Sequence, residues 1–180
     1  MPTQLDAARI DGIVQQIADR LPGDWLLVGG GLVALWLDRR RVTEDIDIVG
    51  IEGTGAERLA LLGLAHDLGL PVEALNSAAD FFVHRIADWR EQTELFRRGR
   101  AGRVFRPTPT LFLLLKLGRL SSLDLEDCLG LVRRCREEGL SFDRARALVA
   151  LGSLPASEDE ALVRRRVRLR AALDAGAEGD

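Results

Sequence analysis

The hydrophobic pattern in the first half of the chain alternates between helix-like and strand-like segments. Apolar residues first recur every three or four positions and then form short runs bounded by glycine, proline or charged residues. The first spacing is typical of an amphipathic helix, and the short runs are typical of buried strands. The pattern predicts helices over residues 5–21, 32–38 and 57–68, and strands over residues 25–28, 43–49 and 72–75.

The pattern changes near residue 80 and becomes mainly helical after residue 107. Residues 81–86 fit either a strand or an irregular apolar segment, whereas residues 91–96 and 103–106 are predicted to form a β-hairpin with glycines in its loop. Helix-start signals follow. They predict a helix with Thr108 as its N-cap and Pro109 as its first residue, and a second helix over residues 124–138 that ends at Gly139. They also predict a shorter helix capped by Ser141, and a last helix that begins with a capping box over residues 157–160.

These elements predict an α+β fold, in which a small mixed β-sheet with flanking helices is followed by a helical C-terminal part. We expect an α/β core over residues 1–107 and a helical part over residues 108–175 packed on that core. Residues 176–180 are expected to be a disordered tail. We find no internal repeat.

The composition excludes some classes of protein. The hydrophobic share of 47% and the charged share of 29% are those of an ordinary globular chain. A net charge of −3 argues against a broad basic surface that holds nucleic acid by phosphate neutralisation alone, although a local basic patch stays open. Because the N-terminus lacks a signal-peptide pattern and no apolar run approaches the ~20 residues of a membrane span, we expect a cytoplasmic protein without membrane contact.

The cysteines and histidines are weak candidates for chemistry. Cys128 and Cys135 lie seven residues apart in a predicted helix, roughly 10 Å at Cα, which is too far for a disulfide bond. We interpret them as small core residues rather than nucleophiles. His66 and His84 are isolated, and neither has a second ligand at metal-binding spacing.

The stretch TEDIDIVG places two carboxylates inside an otherwise apolar strand. Asp45 and Asp47 are two positions apart, so on a strand both side chains leave the same face, about 6.5 Å apart at Cα. Two carboxylates this close repel each other unless a cation lies between them, and oxygen ligands of this kind suit Mg²⁺ or Mn²⁺. A solvated sheet face is the alternative explanation of the same pattern.

A glycine run precedes the two carboxylates and changes their interpretation. Gly29, Gly30 and Gly31 follow a predicted strand and open a predicted helix, which is an arrangement in which backbone N–H groups meet a phosphate. The run matches neither the dinucleotide-binding GxGxxG pattern nor a P-loop. The order of strand, Gly-Gly, helix and Asp-x-Asp is more specific than either motif alone.

The segment WLLVGGGLVALWLDRRRVTEDIDIV resembles the opening of the nucleotidyltransferase superfamily, which has the DNA polymerase beta-like fold. Arg41 and Thr43 resemble the R-x-T-x-D-I-D of its small bacterial members, which include stand-alone proteins and toxin components of abortive-infection-type toxin–antitoxin pairs. The later KLGRLSSLDLEDCLGL is similar to their helical segment. The resemblance covers roughly residues 25–132.

The resemblance implies roles for residues in the first half of the chain. Asp45 and Asp47 would be catalytic metal ligands for Mg²⁺ or Mn²⁺. Gly29 and Gly30 would receive the phosphates of a nucleoside triphosphate, with Thr43 nearby on the strand face of the aspartates.

The resemblance also implies a third carboxylate and a phosphate-binding lysine. Glu73 stands at the expected place of the third catalytic carboxylate and metal ligand, although aspartate is commoner there, and Asp80 is the alternative. Lys116, the only lysine, would contact the triphosphate, as a compact ammonium suits phosphate. A lysine extending its charge from a helix end is the structural alternative. Asp124 and Asp127 could orient Lys116 or cap the next helix, and we favour capping for Asp124.

We therefore expect a metal-dependent nucleotidyltransferase that moves a nucleoside monophosphate from a nucleoside triphosphate to an RNA, protein or small-molecule acceptor. The alternative is a catalytically weak or inactive module that binds a nucleotide or a partner. Such a module could be one component of a toxin–antitoxin pair with a neighbour-encoded protein. The Arg-rich helix over residues 163–173 is interpreted as a surface face, with RNA or an acidic partner as the less favoured alternative.

Overall fold

The computed structural model describes residues 4–175 and has the predicted α+β fold. The chain divides after Pro107 into two compact units, Met1–Pro107 and Thr108–Asp180. Within the described range the first unit contains a mixed five-stranded sheet with helices, and the second unit is helical.

Helices and strands alternate through most of the first unit, as the hydrophobic pattern predicts. The helices are α1 (Ala7–Arg20), α2 (Gly29–Trp36), α3 (Gly55–Asp67) and α4 (Asp80–Val83). The strands are β1 (Gly23–Leu27), β2 (Ile46–Gly50), β3 (Leu75–Asn76), β4 (Thr93–Arg98) and β5 (Gly102–Pro107).

The sheet brings the end of β1 to the beginning of β2 and β3. The strand order is β3-β2-β1-β5-β4. Strands β1 and β2 are antiparallel with Leu27 opposite Ile48, whereas β2 and β3 are parallel with Asp47 opposite Asn76. Strand β5 is parallel to β1 and antiparallel to β4, so β4 and β5 form the predicted hairpin. Because antiparallel β2 starts where β1 ends, the glycine turn after β1 lies beside the two aspartates.

The alternation of apolar and charged residues in β2 is explained by burial. The side chains of Ile46 and Ile48 are fully buried in the core, whereas Asp47 between them is half-buried on the opposite face. Trp25, at 1% exposure, lies in β1 on the core side of the same sheet. Ile46 and Ile48 therefore hold the strand against the core, and Asp47 lies on its other face.

Three segments of the first unit differ from the predicted elements. The predicted strand 72–75 is wrong for most of its length, since Pro71 opens a 3₁₀ turn over Val72–Ala74 in which the Ala74 amide donates to the Pro71 carbonyl (3.0 Å). The segment 81–86 is not a strand but includes most of the short helix α4. The strand predicted over 43–49 begins at Ile46, because Thr43 pairs instead with Leu5 in an isolated bridge.

The second unit consists of four helices within the described range, and its first helix starts as predicted. The helices are α5 (Pro109–Leu117), α6 (Ser122–Glu138), α7 (Arg144–Gly152) and α8 (Glu160–Asp174). Thr108 caps α5 by accepting a hydrogen bond from the Leu111 amide (3.3 Å). Gly139 ends α6 in the left-handed conformation, with φ of 65°.

Two predicted helix caps in this unit are wrong. Asp143 caps α7 in place of Ser141, because its carboxylate accepts from the Arg146 amide at 2.8 Å. Asp159 caps α8 by accepting from the Ala161 amide (2.8 Å), so Ser157 does not form the predicted capping box. The predicted tail 176–180 lies outside the described residues. No helix within residues 4–175 is long and apolar enough to cross a membrane.

Candidate functional site

The glycine turn after β1 leads directly into α2. Val28 has extended backbone angles and makes no side-chain cap, and α2 begins at Gly29. Gly29 has φ of 64°, a left-handed conformation that glycine adopts without steric cost. Val28 does not cap the first amide groups of α2, which lie at the positive end of the helix.

Asp47 lies directly against this turn. Its backbone carbonyl accepts a hydrogen bond from the Val28 amide (3.0 Å), which fixes β2 to the residue just before the glycines. A Cβ added at Gly29 would overlap Asp47 Oδ2 and lie 3.0 Å from its Cγ. The carboxylate and the bare backbone therefore touch, and a side chain at Gly29 would displace Asp47.

Thr43 lies next to Gly30 and contacts Asp45. Its Oγ1 would be 2.9 Å from a Cβ at Gly30, and it donates a hydrogen bond to Asp45 Oδ1 (3.2 Å). Two backbone hydrogen bonds with Leu5, of 2.8 and 3.1 Å, hold Thr43 in place. The structure thus brings Gly29, Gly30, Thr43, Asp45 and Asp47 to one edge of the sheet.

Asn76 also belongs to this cluster, although it lies outside the sequence motifs. It is the register partner of Asp47 on β3, and its Nδ2 donates to Asp45 Oδ2 at 3.0 Å. Its own Oδ1 accepts from the Ala78 amide (2.9 Å), which fixes the orientation of the amide group. The sequence signal for Asn76 is weak: the apolar Leu75 precedes the polar Asn76, as Ile46 precedes Asp47 in the neighbouring strand.

The two candidates for a third carboxylate lie elsewhere in the first unit. Glu73 is exposed in the 3₁₀ turn before β3, and its backbone carbonyl, rather than its carboxylate, is within 3.5 Å of the Asn76 amide. Asp80 lies at the start of α4, 3.0 Å from His84 Nδ1 and 4.0 Å from the guanidinium of Arg58. A role of Glu73 as a metal ligand stays a prediction from the resemblance alone.

The two carboxylates at the sheet edge fit a divalent cation whose remaining ligands are phosphate oxygens and water. Both oxygens of Asp45 accept hydrogen bonds from neutral partners, Thr43 and Asn76, which orient the carboxylate without neutralising it. No group of three or more His, Cys, Asp or Glu side chains suited to a metal occurs within residues 4–175. Two carboxylates suffice for Mg²⁺ where phosphate oxygens and water complete the shell. They do not make a closed protein cage.

Lys116 belongs to a buried ion cluster within the helical unit. Its Nζ donates to Asp124 Oδ1 (3.0 Å) and Asp127 Oδ2 (2.8 Å), and the three side chains are 13%, 1% and 4% exposed. Arg119 and Ser121 each donate to Asp124 Oδ2 at 2.8 Å. Asp124 thus caps α6, as expected, and also holds Lys116 together with Asp127. The contact of Lys116 with a triphosphate stays a prediction.

The cluster shifts the pKa values of Asp124 and Lys116 in opposite directions. Burial disfavours the charged form of Asp124, but hydrogen bonds and charge from Arg119, Lys116 and Ser121 outweigh it and hold the pKa of that carboxyl well below its usual range. Burial likewise opposes the charge on Lys116, and the two aspartates overcome it and raise the lysine pKa. Both partners therefore stay ionised at neutral pH.

Both cysteines are free and buried, as the sequence predicts for core residues. Burial, the largest contribution, raises the pKa of the Cys128 thiol to about 12. A thiol with that pKa supplies almost no thiolate at neutral pH, which argues against Cys128 as a nucleophile.

No protein-family description, curated protein or solved structure matches this chain significantly.

Proposed function

We propose that the chain binds a nucleoside triphosphate with Mg²⁺ or Mn²⁺ at the edge formed by α2, β2 and β3, and transfers the nucleoside monophosphate to an RNA, protein or small-molecule acceptor. The observation that carries this proposal is the contact between the Asp47 carboxylate and the backbone of Gly29 at the start of α2. A carboxylate beside the backbone amides of a helix N-terminus supports the proposal, because carboxylate oxygens suit Mg²⁺ and such amides suit a phosphate.

Each residue of the cluster has a role that follows from its contacts. The backbone N–H groups at Gly29 and Gly30 would donate to phosphate oxygens. Asp45 and Asp47 would hold the divalent cation, which when bound supplies positive charge against the phosphates and polarises them. Thr43 and Asn76 orient Asp45 through their hydrogen bonds, of 3.2 and 3.0 Å, so that its carboxylate is positioned before the nucleotide binds.

A second candidate function, nucleotide binding without turnover, is favoured by Asn76. This residue contacts Asp45 from β3, so the side chain contributed there is an amide and not a third carboxylate that would take a proton from an attacking hydroxyl. An amide cannot accept that proton at neutral pH, because its nitrogen carries no basic lone pair. Transfer would then depend on charge neutralisation and positioning alone, and slow or absent turnover would follow.

One set of measurements on the full chain distinguishes nucleotidyl transfer from nucleotide binding without turnover. Calorimetry with each nucleoside triphosphate, with and without Mg²⁺, measures binding. Incubation with α-labelled triphosphates and either total RNA or cell protein measures transfer. The variants are Asp45→Asn and Asp47→Asn, and the matched control is Glu44→Gln, because Glu44 is the exposed carboxylate next to Asp45.

We expect Mg²⁺-dependent binding that the Asp45 and Asp47 variants lose and the Glu44 variant keeps. Label transfer with the same dependence supports the transferase, whereas binding without transfer supports the second candidate. Equal Mg²⁺-dependent affinity in the unaltered chain and Asp47→Asn, or no binding by the unaltered chain, contradicts both.

A further inference from the structure

The helical unit has a groove between α6 and α8 that the proposed function does not use. Its cavity volume is about 350 Å³. Leu125 and Leu129 of α6 contribute apolar lining, and Leu125 is 3% exposed. Cavities of this size accommodate ligands of about nucleotide size, because small-molecule sites begin near 300 Å³.

Three arginines line the groove on its α8 side. Arg164, Arg165 and Arg168 line it, against a single lining carboxylate, Glu126. Arg164 and Arg168 are four residues apart and therefore lie on one face of α8, where their like charges repel each other unless an anion lies between them. Arg164 and Arg165 pair with Glu160 and Asp159 outside the lining, so Arg168 is the lining arginine whose charge an anionic ligand would balance.

The three arginines differ in the hydrogen bonds and ion pairs that they already make within the protein. Arg165 donates from Nε to the Leu120 carbonyl (2.7 Å) and lies 3.6 Å from Asp159, so it is fixed in place. Arg164 pairs with Glu160 (3.1 Å) on an exposed surface, where such pairs are weak and readily exchanged. Arg168 is exposed and has no hydrogen-bond or ion-pair partner among residues 4–175. Two guanidinium groups are thus available to a ligand beside a third that is held rigidly.

We propose that this groove binds a phosphorylated ligand of nucleotide size, with its phosphate at Arg164 and Arg168 and its less polar part against Leu125 and Leu129. Arginine suits phosphate because its planar guanidinium donates two parallel hydrogen bonds to the oxygens. The N-terminus of α6 adds little to this site, since Ser121 and Asp124 already cap it. The site is independent of Asp45, Asp47 and the divalent cation.

The test uses the full chain in EDTA, so that no divalent cation is present for the sheet-edge site, with AMP, adenosine and pyrophosphate as probes in calorimetry. The variants are Arg168→Gln and a matched control, Arg170→Gln, which removes an exposed arginine of the same helix that does not line the groove. Because both side chains are on the surface, both variants should fold, and circular dichroism checks this. Asp47→Asn tests independence from the sheet-edge site.

We expect AMP to bind more tightly than adenosine or pyrophosphate. Arg168→Gln should weaken AMP binding by about tenfold, the effect of losing one charge-assisted hydrogen bond. Arg170→Gln and Asp47→Asn should leave the affinity unchanged. Equal affinity for AMP and adenosine, equal effects of the two arginine variants, or no AMP binding at millimolar concentration would overturn the proposal. Pyrophosphate binding as tight as AMP binding would overturn the role given to the apolar lining.

Discussion

The Asp47 carboxylate lies so close to the backbone of Gly29 that Gly29 has no room for a side chain. A Cβ at Gly29 would overlap Oδ2 of the carboxylate, and the left-handed φ of 64° at Gly29 disfavours any other residue there. The start of α2 and the face of β2 that carries Asp47 therefore pack directly against each other at this contact.

Gly29→Ala should lower both stability and nucleotide binding. The left-handed backbone alone costs about 1 kcal/mol for alanine, and the new methyl group must push Asp47 aside. We expect a free energy of unfolding reduced by at least about 1 kcal/mol in urea titration, together with loss of Mg²⁺-dependent triphosphate binding in calorimetry.

Gly12→Ala is the control for that change. Gly12 lies inside α1 and a Cβ there would meet nothing within 4 Å, so alanine should raise the free energy of unfolding by about 0.5–1 kcal/mol. Nucleotide binding should be unaffected. An equal loss of binding in both variants would refute a specific role for the glycine turn.

Asn76→Asp should convert the cluster into a stronger cation site. The new carboxylate would stand at hydrogen-bonding distance from Asp45, now 3.0 Å from Nδ2, and the like charges would repel each other without a metal. We expect a lower melting temperature in EDTA and a larger stabilisation by Mg²⁺ than in the unaltered chain, measured by differential scanning calorimetry. Glu44→Gln, which alters the exposed carboxylate next to Asp45, should change neither quantity.

Lys116→Met should destabilise the helical unit in the absence of any nucleotide. The change leaves the nearly inaccessible carboxylates of Asp124 and Asp127 without the cation between them, which costs about 3 kcal/mol for a buried pair that loses one partner. Urea denaturation at pH 7 measures this loss, and Arg133→Met, an exposed arginine of α6, serves as the control. Unchanged stability with weakened triphosphate binding would instead favour the phosphate-contact role implied by the resemblance.

The same cluster should make stability depend on pH on the acid side. Because the folded-state pKa of Asp124 is lowered, its contribution is present above the unfolded-state pKa of about 4 and is lost as the pH falls below that value. We expect the free energy of unfolding to decline with acid below about pH 4, and Asp124→Asn to remove part of that decline. A parallel decline in the variant and the unaltered chain would contradict this assignment.

The two cysteines should not react with thiol reagents while the chain is folded. Cys128 is fully buried with its pKa raised to about 12, and Cys135 is 3% exposed. We expect no fast reaction with Ellman's reagent at pH 8, and reaction of both thiols after denaturation in guanidinium chloride. A fast native reaction of either thiol would show that α6 opens locally.

The parts of the site that were predictable from sequence are those set by local rules. A glycine that must adopt a left-handed turn and an aspartate that alternates with buried isoleucines are both visible in a short window. For this reason Gly29 and Asp47 could be named before their contact was known. The hairpin and the start of α5 at Pro109 were predictable for the same reason.

The parts that were missed depend on tertiary pairing. Strand β3 has only two residues, so its register with β2, which brings Asn76 to Asp45, leaves almost no pattern in the sequence. The resemblance implies Glu73 as the third carboxylate, and Pro71 opens the 3₁₀ turn in which that residue lies. The N-caps at Asp143 and Asp159 were missed because several good capping residues occur close together, and the geometry of the loop selects among them.

The position of Lys116 gives this chain a built-in reporter of motion. Its ε-amine is the only one in the sequence, and two carboxylates hold it in place. Acylating reagents should spare that amine while α5 and α6 stay together and modify it when they separate. Mass spectrometry of a single acylation site could therefore time the opening of the helical unit without any introduced label.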